Sequence, residues 1–135
     1  MWPGETIASW FGTWKLNLAS STYSPGPPPF KRATRRIEQV GARITITDDQ
    51  VRTRGGLIHL EWTGKFDGLD YAVQGVEVAL TNAYRRIDDH TCELVQKVDG
   101  EIVATARLLL SPDGTTITTV NSSRTASATT VYERQ

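Results

Sequence analysis

With 135 residues, 15 basic against 15 acidic side chains and one cysteine, the chain has the length of one domain, residues 1–135. Such a chain buries roughly two-thirds of its unfolded surface without metal or disulfide staples. A formal charge of zero argues against a nucleic-acid partner, whose binding domains gather strong positive charge. The lone Cys92 excludes an internal disulfide. No apolar run approaches the roughly 18 residues of a membrane-spanning helix. The opening Met1-Trp2-Pro3-Gly4-Glu5 lacks the charged-then-apolar layout of a secretion signal, so a soluble, cytoplasmic domain without a membrane span is expected.

Val, Ile and Thr supply 36 of the 135 residues, and β-branched side chains suit a pleated, half-buried surface better than a helix. Asp67-Gly68, Asp99-Gly100 and Asp113-Gly114 tolerate the positive φ of tight reversals. Between these points the apolar residues alternate. The period of two predicts strands over 12–18, 30–40, 43–47, 51–54, 57–66, 71–75, 78–87, 91–98, 101–110, 115–121 and 126–133, about ten short strands joined by connections of roughly two to four residues. Residues 2–11 are expected to form one helical turn or a plug. So many sequential hairpins leave no room for crossover helices. The fold class predicted is all-β, a single antiparallel up-and-down barrel of about 8–10 strands, closed because closure removes exposed edges.

The stretch from Ala19 to Pro29 breaks the pattern, with Pro27-Pro28-Pro29 fixing extended geometry and withholding backbone donors. It reads as a strap. A plain connection is weighed against a lid over the barrel mouth, pinned by Tyr23, and against a proline-rich ligand for another domain.

Phe11-Gly12-Thr13-Trp14-Lys15-Leu16 resembles the opening strand of the fatty-acid-binding and lipocalin-like (calycin) barrels, in which a Gly-x-Trp packs the closed end. Val131-Tyr132-Glu133-Arg134 is similar to the Tyr-Glu-Lys with which fatty-acid-binding proteins finish. Gly12-Thr13-Trp14 together with the strap resembles a group of small bacterial lipocalin-like proteins. The resemblance implies an up-and-down barrel around a hydrophobic pocket. Two features depart from it. The strap stands where fatty-acid-binding proteins insert a helical portal, and Thr130-Val131-Tyr132 keeps the tyrosine but not the arginine of their carboxylate-holding Arg-x-Tyr.

Chemical motifs are sparse. No phosphate-cradling glycine loop exists. His59 and His90 with one thiol make no tetrahedral metal set, so neither metal nor cofactor is expected. His90 follows Asp88-Asp89 in a turn signal. His59 and Glu61 share one strand face opposite Ile58, Leu60 and Trp62, which makes them a surface couple if the apolar face is inside and an acid/base pair if it is not. The run Lys31-Arg32-Ala33-Thr34-Arg35-Arg36 points to both faces of its strand. Arg35 shares parity with Ala33 and Ile37, and Arg86 with Leu80, Asn82 and Tyr84; Arg107 lies opposite Leu108. An inward arginine requires a carboxylate or an anionic ligand beside it.

The expected function is non-catalytic binding of a small hydrophobic molecule, in one version an acidic one, within the barrel. The ligand-binding residues expected are Trp14, Arg35, Leu60, Trp62, Tyr84, Arg86 and Tyr132, with Tyr132 beside Arg35 and Arg86 meeting the ligand's polar end. A different class remains open, a small barrel enzyme (cyclase, isomerase or hydratase) on a hydrophobic substrate, with Tyr84, Tyr132, His59 and Glu61 as proton handlers; no catalytic residue is assigned. A third is an interaction module, which requires an interior filled by its own side chains. Monomer and homodimer are equally compatible with the sequence.

Overall fold

Alternating apolar residues become a barrel when successive strands turn the same parity inward, and the chain does this around a full circle. The structure, a computed structural model, describes residues 8–135. Its strands are β1 (Gly12–Leu16), β2 (Thr22–Ser24), β3 (Phe30–Val40), β4 (Arg43–Arg52), β5 (Leu57–Gly64), β6 (Tyr71–Gln74), β7 (Leu80–Asp88), β8 (Thr91–Val98), β9 (Glu101–Leu110), β10 (Thr116–Ser123) and β11 (Ser127–Arg134). From β3 to β11 each strand pairs with the next, and β1 pairs with both β3 and β11, closing an antiparallel barrel of 10 strands. The short β2 extends the same seam, pairing Tyr23 with Ala128 of β11. The predicted all-β barrel is thus the observed fold. No helix among the described residues is long and apolar enough to cross a membrane.

Two local expectations are corrected. Segment 43–47 continues through the expected break to Arg52 as one strand, and residues 53–54 belong to the turn that follows. The acidic pair at that break reads as a turn, but Asp48 is paired across the ladder with Arg35 and Asp49 is hydrogen-bonded to His59, so the strand runs through. The strap contains β2, because Thr22–Ser24 supplies backbone donors that the prolines cannot. Ala8–Trp10 forms a single turn of 3-10 helix, and the remainder of the expected plug lies outside the described residues.

One end of the barrel is packed solid. Trp10, Trp14, Ile37, Ile44, Leu110 and Ile117 are all buried there. The Trp14 indole donates to the Trp10 carbonyl at 3.1 Å, and the Arg134 guanidinium lies 4.3 Å from the Trp14 ring centroid. The same guanidinium donates to the carbonyls of Phe11 at 2.7 Å and Gly114 at 2.8 Å, tying the chain's first and last strands together. Glycine suits this point because its φ is +138°, a conformation L side chains rarely adopt, and a Cβ would also push the Arg134 Nη1 end, 2.7 Å away, out of place. The Gly-x-Trp signature is therefore a closed-end lock.

Candidate functional site

Above that packed end the barrel is hollow. A cavity of about 510 Å³ opens between the β-strands and the strap, within the range of small-molecule sites. Leu60, Leu80, Leu94 and Leu108 bring aliphatic groups from β5, β7, β8 and β9, while Pro25, Pro27 and Pro29 wall the mouth. The strap is held over the cavity at both of its ends. β2 pairs with β11, and Thr53 of the β4–β5 turn donates its hydroxyl to the Pro28 carbonyl at 2.6 Å and its amide to Pro29 at 3.0 Å.

The inner layer nearest the packed end is polar and aromatic. Arg35 of β3 and Asp48 of β4 are direct cross-strand neighbours, both facing inward. Arg35 Nε donates to Asp48 Oδ1 at 2.7 Å, and the two side chains are only 18% and 14% exposed. Burial opposes the charge on this guanidinium, but Asp48, with the Tyr132 and Tyr84 rings beside it, outweighs burial and holds it protonated beyond the ordinary arginine range. Its Cζ lies 4.8 Å from the centroid of Tyr132. Burial raises the Tyr132 phenol above its usual value, with Arg35 partly opposing. Burial likewise drives the Tyr84 phenol well above the ordinary tyrosine range. Tyr84 packs edge-on to Trp62 at 4.8 Å, and Trp62 donates its indole N–H to the Asn82 carbonyl at 2.9 Å. Asn82 also accepts from Gln96 at 3.1 Å, which holds its amide against the cavity wall. The Thr119 hydroxyl is buried in the lining with no hydrogen-bond partner among the described residues, and no described residue bonds the Tyr132 hydroxyl either.

Arg35, Leu60, Trp62, Tyr84 and Tyr132 all line this cavity, whereas Trp14 and Arg86 do not. Trp14 is consumed by the closed-end lock. Arg86 shares the inward parity but sits one rung from the β7–β8 turn, where it pairs with Asp89 rather than with a ligand. The side chains of His59 and Glu61 are exposed on the outer face, although Glu61 also borders the cavity; His59 is bonded to Asp49 at 2.6 Å and stands 3.8 Å from Glu61. Arg107 also points outward, sharing Glu93 with Arg85. Asp48 and Thr119 are additions from the structure. Asp48 continues the parity of Ile44 and Ile46, a signal hidden by ending the strand at Thr47.

No protein-family model matches the chain, and no curated protein does. Solved structures do match. The fluorescent protein UnaG, in a mutant form, superposes with a TM-score of 0.67 at 15% identity, covering 96% of this chain and 98% of that one. A fatty acid transporter, REP1-NXSQ, gives 0.65 at 14% identity over 95% and 97% of the two chains. A redesigned β-barrel bound to DFHBI, mFAP1, gives 0.53 at 12% identity, over 96% and 98%. The fold is that of the fatty-acid-binding-protein-like calycin barrels. At these identities the likeness concerns the fold, and the site must be argued from its own residues.

Proposed function

We propose that the protein is a non-catalytic binder of a small hydrophobic molecule, taken up in the barrel cavity with its polar end toward Arg35, Asp48 and Tyr132. The observation that carries this reading is the hollow of about 510 Å³, which aliphatic side chains from four strands surround although the rest of the interior is tightly packed. Aliphatic walls of this kind offer a hydrophobic ligand dispersion contacts on several sides. That similar folds include a fatty acid transporter and a barrel bound to DFHBI is in keeping with it. The test is titration with Nile red, a neutral environment-sensitive dye. Saturable uptake at one site per chain, with quenching of Trp62, is expected; no saturable uptake across a lipophilic panel would sink the reading.

A second reading draws on one observation, that an ionised pair and two phenols face the same cavity. An enzyme acting on a hydrophobic substrate would use Asp48 as base and Tyr84 or Tyr132 as acid. Turnover of a bound lipophile that Asp48→Asn abolishes, with Nile red uptake intact, would favour it over simple binding.

A further inference from the structure

The electrostatics of the inner layer go further and select among ligands. Arg35 is the one cation lining the cavity among the described residues, and its charge is already met by Asp48, which lines the same wall. The contact is side-on: Arg35 reaches Asp48 through Nε alone, and Asp48 receives that bond through Oδ1 alone. No described residue accepts from the Nη atoms of Arg35, and none donates to Oδ2 of Asp48. The pair therefore presents a vacant donor beside a vacant acceptor, with no net charge. Two more groups in the lining lack partners among the described residues, the buried Thr119 hydroxyl and the hydroxyl of Tyr132, whose ring centroid lies 4.8 Å from Arg35 Cζ.

Resting on the reading of the cavity as a binding site, we infer that the Arg35–Asp48 pair is a donor–acceptor edge for an uncharged polar head, of the amide, lactam or urea class, at the end of a hydrophobic body. A carboxamide offers a carbonyl oxygen to the Arg35 Nη donors and an N–H to Asp48 Oδ2 at the same time. Neither hydrogen bond brings a new charge out of water. A ligand carboxylate would enter beside the Asp48 carboxylate, with one guanidinium shared between two anions, and would be desolvated with nothing left to compensate it. A ligand ammonium meets the mirror problem at Arg35. An ester has the acceptor but not the donor, and leaves Asp48 Oδ2 unanswered. The carboxylate clamp suggested by Tyr132 together with an arginine is thus blocked by a residue from the neighbouring strand.

The test is displacement of bound Nile red from the full chain at mildly alkaline pH by lauramide, laurate, laurylamine and methyl laurate, which share one hydrocarbon tail. Lauramide is expected to displace the dye at a concentration about tenfold or more below that of laurate and laurylamine, with methyl laurate between. Asp48→Asn removes the compensating charge, and laurate should then overtake lauramide. Should that variant not fold, the paired replacement Arg35→Met with Asp48→Leu leaves no buried charge behind. It should keep Nile red uptake and bring lauramide, laurate and methyl laurate to within a few-fold of one another. Laurate binding as well as lauramide in the unaltered protein, or an amide preference that survives the paired replacement, would overturn the inference while leaving the cavity reading in place. Failure of Nile red to bind saturably would overturn both.

Discussion

Tyr132 was legible as an inward residue from the parity of Ala126, Ala128 and Thr130, but its surroundings were not. A structural tyrosine would tie its hydroxyl to a carbonyl, and no described residue bonds this one, although the side chain is 6% exposed. The hydroxyl faces the cavity rather than the packed interior, so its removal takes no hydrogen bond from the fold. Tyr132→Phe should therefore leave the urea midpoint unchanged or higher while weakening amide-headed ligands several-fold; a marked stability loss with intact affinity would speak for a structural role. Gly75 makes the opposite case, of a residue whose role is steric. Its φ is +102°, and a Cβ would lie 2.1 Å from the His59 carbonyl oxygen, a backbone atom that moves only with β5. Gly75→Ala should cost at least about 2 kcal/mol by chemical denaturation. Gly100→Ala, also at positive φ but with open space around it, should cost only about 1–2 kcal/mol, the left-handed penalty. At this scale parity located Arg35 and Tyr84. What one strand's alternation does not disclose is the neighbour across the ladder, and that neighbour, Asp48, decides what Arg35 can do.

Among the elements, β4 shows best why some of the fold escaped the sequence. Asp48-Asp49 has the composition of a turn, and a single strand carries no information on whether partners wait on both sides of it. Arg35 waits inside and His59 outside, so each aspartate is matched on its own face. The outer match has a pH signature. The hydrogen bond to Asp49 is the largest influence on His59 and raises its pKa from the ordinary 6.5, with the Asp49 charge adding to it. A histidine held protonated in the folded state favours folding below its unfolded pKa. That contribution fades as pH rises through the raised folded value. An NMR titration of the His59 ring should show the midpoint displaced upward, and Asp49→Asn should return most of the displacement; an unchanged midpoint in that variant would show the pair to be idle. The strap is the element whose purpose the sequence left most open. Its prolines line the cavity and its far end is fastened to Thr53, so its geometry suits a lid. Thr53→Val removes the hydroxyl that holds Pro28 while keeping the shape of the side chain. Nile red should then leave faster in stopped-flow dilution, with the thermal midpoint nearly unmoved because the lost bond is exposed. Unchanged release would make the strap a connection only.

Taken as a whole, the molecule divides one continuous barrel into two regimes, and the division follows side-chain volume along the inward parities. Toward the closed end the inward residues are Trp10, Trp14, Ile37, Ile44, Leu110 and Ile117, large enough to meet at the axis. Toward the mouth β9 turns in Ala104, β10 turns in Ser123, and Ala126, just before β11, and Ala128 at its start join them; these are too small to meet, and the axis stays hollow. The alternation of β9 and β11 announced which residues face inward, but a hollow is a property of all the strands together, and no single segment displays it. The two regimes should respond oppositely to changes in volume. Trp14→Ala empties a site with 0% exposure, so about 3–5 kcal/mol of stability should be lost. Ala128→Leu and Ala104→Leu add methyl groups where there is space to receive them, so neither overpacks the barrel, and each should alter stability by less than about 1 kcal/mol. The same two replacements should weaken Nile red uptake by about tenfold or more, because the added side chains occupy the volume the dye needs. Urea titrations beside dye titrations separate the two effects. If Ala104→Leu and Ala128→Leu destabilise as strongly as Trp14→Ala, the mouth is as full as the closed end. If they leave uptake intact, the dye sits elsewhere.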